Sequence, residues 1–179
     1  MVAFFVAGTV ARLSPAALAG CMLIALLQFV GGNALAGDVG SETNLPIPRF
    51  VSLRSSEVNL RTGPGTMYPV DWVYVRRELP VEVIAEFDVW RKIRDWQGTT
   101  GWVHQSMLDG RRTVRISGSE QTLRREPDDA AVVVARLAPG VIGRLLECND
   151  SWCRIEVDGN RGWLKRDEFW GVYPDEKIQ

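Results

Sequence analysis

The sequence predicts an all-β chain of two tandem small β-barrels placed after an N-terminal export signal. Three observations carry this. An almost unbroken apolar segment is confined to the first 36 residues, short strand-like runs begin at Phe50 with no helical 3.6-residue period among them, and an internal repeat covers most of the chain from Val58 onward.

The first element is the apolar segment. With 46% hydrophobic and 24% charged residues in a chain of 179, the protein belongs with globular chains rather than disordered ones. Met1 to Ala36 nevertheless holds a single charged residue, Arg12, followed by a nearly non-polar run from Pro15 to Val30 and by Ala34-Leu35-Ala36 before Gly37. A basic start, an apolar centre and a small-residue A-x-A site fit a signal peptide over 1–36, cleaved after Ala36, and hence a periplasmic or secreted protein. Two other readings stay open. The run approaches the length that crosses a bilayer, though the A-x-A site argues against a retained anchor. Leu18-Ala19-Gly20-Cys21 resembles a lipobox with lipid anchoring at Cys21, though the apolar run continues past the cysteine to Val30.

Beyond Ala36 the chain carries 20 Lys plus Arg against 22 Asp plus Glu, a net charge of −2. Basic pairs such as Arg76-Arg77, Arg111-Arg112 and Arg124-Arg125 are interspersed with acids, so no clustered positive surface for nucleic acid is expected. Residues 37–49, GDVGSETNLPIPR, are polar and broken by Gly and Pro, the composition of a flexible linker.

From Phe50 the runs VDWVYV, LPVEVIAEF, VWRKIRDW and GWVHQSML come in close succession. In one of them Val81, Val83, Ala85 and Phe87 alternate, which places them on one face of a strand and turns Glu82 and Glu86 to water. Val58–Gly110 can be laid over Gln121–Gly171. Leu60-Arg61 and Pro64 recur 63 residues later as Leu123-Arg124 and Pro127; Asp88, Trp90 and Ile93 recur after 62 as Asp150, Trp152 and Ile155; Gly101-Trp102-Val103 recurs after 61 as Gly162-Trp163-Leu164. The two shortenings fall in turns, where a duplicated fold tolerates them. Domains of 50–112 and 113–175 result, with 176–179 as a tail. Units of this size have small cores, which the seven tryptophans, all after Phe50, reinforce. The junction LDGRRTV is short, so the copies are expected to pack together.

Cys148 and Cys153 flank Asn149-Asp150-Ser151-Trp152, which suits a hairpin tip. In an exported protein the pair reads as a disulfide, with two buried free thiols as the alternative. The spacing fits neither a zinc site nor a redox C-x-x-C, and no metal or cofactor is expected.

VNLRTGPGTMYPV (58–70), the Trp-led run Trp90-Arg91-Lys92-Ile93-Arg94 and GTTGWVHQSML (98–108) resemble, in that order, the opening, central and closing strands of bacterial SH3-like (SH3b) domains. The paired arrangement resembles exported alphaproteobacterial SH3-domain proteins. The resemblance implies SH3-like barrels with a loop shaped by Asn59, Arg61, Gly63, Pro64 and Gly65, the glycines supplying positive φ, and with Gly101 letting Trp102 fold across the barrel end. The second copy reads Arg124-Arg125-Glu126-Pro127-Asp128 and lacks both loop glycines, so the copies are not expected to bind alike; copy one is the candidate for binding and copy two for support.

Enzyme chemistry finds no foothold, because the single histidine, His104, has no nucleophile or carboxylate at a recognisable spacing. Aromatic binding remains. Trp90 lies opposite Ile93 on its strand and so toward the rim, and the resemblance places Trp90 and His104 in a ligand groove; Tyr68, Trp72 and Tyr74, with Trp96 beside them, are the candidates to restore its aromatic wall. For each aromatic, core packing is the competing role. The expected function is a non-catalytic exported binding module for cell-wall peptide or an envelope protein. The alternative is a structural or interaction protein of the periplasm, which includes a lipoprotein, with no cell-wall ligand.

Overall fold

In the computed structural model the described residues are 38–179. The expected signal peptide, its cleavage after Ala36, and Cys21 lie outside them. Strands β1 (Asp38–Val39) and β2 (Pro46–Ile47) form a small hairpin. Then come β3 (Arg49–Leu53), β4 (Val58–Arg61), β5 (Val70–Tyr74), β6 (Pro80–Phe87), β7 (Trp90–Arg94), β8 (Thr100–His104) and β9 (Leu108–Asp109). The second set is β10 (Thr113–Ile116), β11 (Gln121–Arg124), β12 (Val133–Leu137), β13 (Ile142–Cys148), β14 (Trp152–Val157), β15 (Asn160–Lys165) and β16 (Phe169–Trp170).

Each set makes one seven-stranded antiparallel sheet, ordered β5-β4-β8-β7-β6-β3-β9 and β12-β11-β15-β14-β13-β10-β16, which is the same topology twice. Each sheet encloses its own core. Leu53, Val58, Leu60, Val81, Val83, Ile93 and Val103 fill the first; Val114, Ile116, Leu123, Ile155 and Leu164 fill the second. Even the irregularities repeat. Both copies carry a break in register after the Leu-Arg strand, at Leu60/Arg61 and Leu123/Arg124, and another in the long strand, at Val83/Ala85 and Leu145/Glu147.

The bulge at Val83/Ala85 resets the alternation read from the sequence, and Phe87 is 57% exposed rather than part of a continuous core face. Glu82 and Glu86 do not face water. Glu82 is 4% exposed; it accepts from Arg94 Nε at 2.8 Å and from the Tyr173 hydroxyl of the second barrel, also at 2.8 Å. The Glu86 side chain is wholly covered by the 38–47 hairpin. Its oxygens accept from Thr43 Oγ1 (2.7 Å), from the Glu42 and Thr43 amides (3.0 Å each) and from Arg49 (2.8 Å), with Arg91 at 3.5 Å. Burial opposes ionisation of Glu86, but these donors outweigh it and lower its pKa to about 2. Residues 37–49, expected as a flexible linker, therefore include a hairpin fixed by a carboxylate of the first barrel.

The segment 176–179, expected as a tail, is bound to the second barrel. Ile178 O accepts from the Cys148 amide at 2.9 Å, and the Ile178 side chain packs on the second core. Glu176 pairs with Arg112. The barrels pack together as the short junction predicts. Phe50 meets Trp170 edge-on at 4.8 Å and Tyr173 at 4.7 Å, the Arg112 guanidinium lies over its ring, and Thr113 Oγ1 donates to Glu78 O at 2.8 Å. Aromatic pairs of this kind add about 0.5–1.5 kcal/mol each beyond their burial, which matters for barrels of this size.

Candidate functional site

The site begins with the loop between β4 and β5. Arg61 Nη1 donates to Tyr68 O at 2.7 Å and to Thr66 O at 3.2 Å, while Thr62 N–H donates to Pro69 O and Tyr68 N–H to Gly65 O. The second barrel repeats the pattern: Arg124 Nη1 donates to Ala131 O, Arg125 N–H to Val132 O and Ala131 N–H to Asp128 O. The loop backbone is thus kept although both glycines are gone.

Positive φ is not what the glycines supply, since neither Gly63 nor Gly65 adopts it. They make room. The Tyr68 ring lies on the loop, and a Cβ at Gly63 would stand 2.4 Å from its Cδ1. Where tyrosine becomes Ala131 the restriction disappears, and Glu126 and Asp128 occupy the glycine positions. Gly101 likewise serves close approach rather than an unusual turn for Trp102: a Cβ there would meet Leu60 Cγ at 2.5 Å, as one at Gly162 would meet Leu123 Cγ at 2.6 Å. Asn59 is exposed and its side chain makes no hydrogen bond among the described residues, so loop shaping falls to Arg61 and the glycines.

Beyond the loop, β5 is the outermost strand of the first sheet and carries an apolar strip to solvent. Met67, Tyr68, Val70, Trp72 and Val75 are all exposed, Trp72 to 57%. In the second barrel the strip shrinks to Val132 and Val133, with Ala135 and Leu137 at the positions of Trp72 and Tyr74.

The strip runs into an open, mostly apolar pocket of about 230 Å³ at the junction of the barrels, walled by Trp72, Tyr74, Leu79 and Trp96 and flanked by Arg76 and Arg115. Tyr74 is itself buried and donates to Asp95 Oδ2 at 3.0 Å; burial, and then the Asp95 charge and bond, push its pKa well above the usual phenol value, so it stays protonated. The Arg115 guanidinium lies 4.4 Å above the Trp96 ring. Burial, with Arg76 nearby, holds its pKa below the ordinary arginine value, Asp95 acting in the opposite sense.

The remaining pair stands apart. Trp90 and His104 are cross-strand partners with rings at 5.5 Å, edge to face. Trp90 is 9% exposed, a buried residue rather than a rim one, because cross-strand His104 packs against its ring. His104 Nδ1 faces Ser106 at 2.7 Å and caps the short 3-10 turn Gln105–Met107. In the second barrel Trp152 and Lys165 form the same pair, the ammonium 5.3 Å from the ring. The structure therefore joins Trp72, Tyr74 and Trp96 in one pocket, puts Tyr68 on the adjoining loop, and gives Trp90 and His104 a shared packing role.

Sequence reasoning misses Arg76 and Arg115. Arg76 reads as one of a solvated basic pair, and nothing in the sequence turns Arg115 of the second barrel toward Trp96 of the first.

Cys148 and Cys153 are bonded, directly opposite each other across β13 and β14.

Two copies of one small open barrel, with an aromatic surface on the first alone, define a tandem SH3-like protein. Residues 54–110 and 117–171 each match the family described as "Bacterial SH3 domain", and the chain belongs to that family. It is 22% identical over 123 residues to the "Putative N-acetylmuramoyl-L-alanine amidase YrvJ" of Bacillus subtilis (strain 168); that match takes in 63% of this chain but spans only 24% of the relative. Among solved structures it is similar to NlpC2 of Trichomonas vaginalis, with a TM-score of 0.33 and 15% identity over 70% of this chain and 49% of that one. NlpC1 of the same organism gives a TM-score of 0.33 and 14% identity over 75% and 49%.

Proposed function

We propose that the protein is an exported, non-catalytic module that binds cell-wall peptide through its first barrel. The observation that carries this reading is the exposed strip of Met67, Tyr68, Val70 and Trp72, which ends in an aromatic-walled pocket and has no equal on the second barrel. A contiguous apolar surface kept on one of two copies marks a site for a partner. The family, and a relative whose name is that of a cell-wall amidase, support peptidoglycan as the source of the ligand. Export is the reading of Met1–Ala36, and a disulfide suits an oxidising compartment. The module's role is targeting, and the chemistry on the wall belongs to other proteins.

Co-sedimentation with purified sacculi at physiological salt tests the proposal: the protein is expected in the pellet, and full recovery in the supernatant overturns it. A second reading comes from β5 lying at the sheet edge with Val70, Trp72 and Val73 exposed, since an extended segment of an envelope protein can add there as an extra strand. That reading gains if the sacculi fail to retain the protein.

A further inference from the structure

We propose that the pocket between the barrels is a carboxylate-binding site, in which Arg76 and Arg115 hold a carboxylate of a peptide whose apolar part lies on Trp72 and Trp96. The proposal rests on the reading of the first barrel as a binder of cell-wall peptide, and it names the chemistry that would be recognised.

Two guanidiniums flank one pocket, and neither forms an ion pair with a carboxylate among the described residues. Arg76 is exposed and makes no hydrogen bond or ion pair among the described residues. Arg115 donates only to Ile116 O, at 3.3 Å, and otherwise lies flat on Trp96. The acid that offsets its charge, Asp95, is already committed: Oδ2 accepts from Tyr74, and Oδ1 from the Gln97 and Thr99 amides. Arg91, Arg94, Arg111, Arg112 and Arg144 show the commoner arrangement in this chain, each paired with a carboxylate.

An arginine stacked on an indole keeps its N–H edge free and preorganised, and that planar edge matches a carboxylate better than it matches water. A second cation nearby raises the attraction for an anion. The tryptophan walls then offer apolar contact to whatever carries the carboxylate, which favours a peptide over a small inorganic ion.

The test tracks the Trp72 and Trp96 indole N–H signals by NMR in the full chain. The first probe is the muropeptide mixture released from sacculi by a muramidase, used as released and after amidation of its carboxyl groups. Native muropeptides are expected to shift both signals. Amidated ones, and native ones offered to Arg76→Gln, are expected to bind about tenfold more weakly, the size of a lost charged hydrogen bond. Arg115→Gln disturbs the stack on Trp96, so Arg76→Gln, which removes no hydrogen bond or ion pair among the described residues, is the decisive variant.

Equal affinity for native and amidated muropeptides overturns the inference while retention on sacculi keeps the binding reading. A second probe, acetyl-trialanine with a free C-terminal carboxylate, separates the opposite case: if sacculi fail but this peptide shifts both indoles, the cell-wall reading falls and the carboxylate site stands. No shift with either probe, or equal shifts from inorganic phosphate at the same concentration, overturns the inference.

Discussion

The two barrels solve one structural problem in two ways. In β6 and β7 of the first, Glu86 stands opposite Arg91; 62 residues on, in β13 and β14 of the second, Cys148 stands opposite Cys153. A buried ion pair and a disulfide thus occupy the same rung of the same ladder. Each rung is also covered by a segment flanking its barrel, the 38–47 hairpin over Glu86 and Ile178 beside Cys148. Further down the ladder, Glu82–Arg94 becomes Arg144–Glu156 with its charges exchanged. The fold specifies where a cross-strand bond is needed and leaves its chemistry open. The exposed aromatic strip is a different matter, because Ala131 in place of Tyr68 and Ala135 in place of Trp72 remove it while the loop hydrogen bonds are kept.

Removal of Glu86 is expected to have the largest effect. Glu86→Ala leaves Arg91 buried without its acid and removes the acceptor of three hairpin donors and of Arg49, so denaturant unfolding is expected to show a loss of about 3–5 kcal/mol. A loss below about 1 kcal/mol would mean that Glu86 does not hold the rung.

Acid should act on the same group. Because the folded pKa of Glu86 is depressed from 4.5 to about 2, its contribution is fully present above pH ~4.5 and is lost as the pH falls toward 2, amounting to about 3 kcal/mol. Hydrogen exchange between pH 5 and 2 is expected to show the hairpin and β6 opening before β13, whose matching rung does not titrate. Simultaneous opening would contradict the difference.

A reductant should do the reverse. Cleaving Cys148–Cys153 opens a short loop worth about 2 kcal/mol of chain entropy, and exchange should rise in β13 and β14 while β6 and β7 keep their protection.

The Gly63–Tyr68 pair is expected to have the smallest effect. Gly63→Ala sets a methyl against the Tyr68 ring and is expected to cost about 1 kcal/mol in thermal unfolding, and Tyr68→Ala in the same chain should restore most of it. No rescue would show that the glycine serves the backbone instead.

Much of this architecture is legible in residues. The repeat, with offsets of 63, 62 and 61, places the paired strands from β4 and β11 onward, and short spacing in a chain read as exported predicts the disulfide. The failures have a common cause. Alternation along Val81–Phe87 says which side chains share a face, but not that a hairpin and a second barrel cover the other face, so it turns Glu82 and Glu86 to solvent. The loop glycines read as backbone freedom because the Tyr68 ring that needs the space lies five residues further on. A signal is present in both cases: the alignment that sets Glu86 and Arg91 against Cys148 and Cys153 also sets Gly63 and Tyr68 against Glu126 and Ala131. Arg115 offers none, since its position over Trp96 arises only when the barrels dock.

One barrel is proposed to bind and its twin to support. Matched truncations on the exposed strands test this directly: Trp72→Ala in the first barrel and Val133→Ala in the second, each measured by retention on purified sacculi. Trp72→Ala is expected to weaken retention about tenfold or more, as loss of a central tryptophan does at an interface, and Val133→Ala to leave it unchanged. Equal losses, or a loss confined to Val133→Ala, would contradict the account.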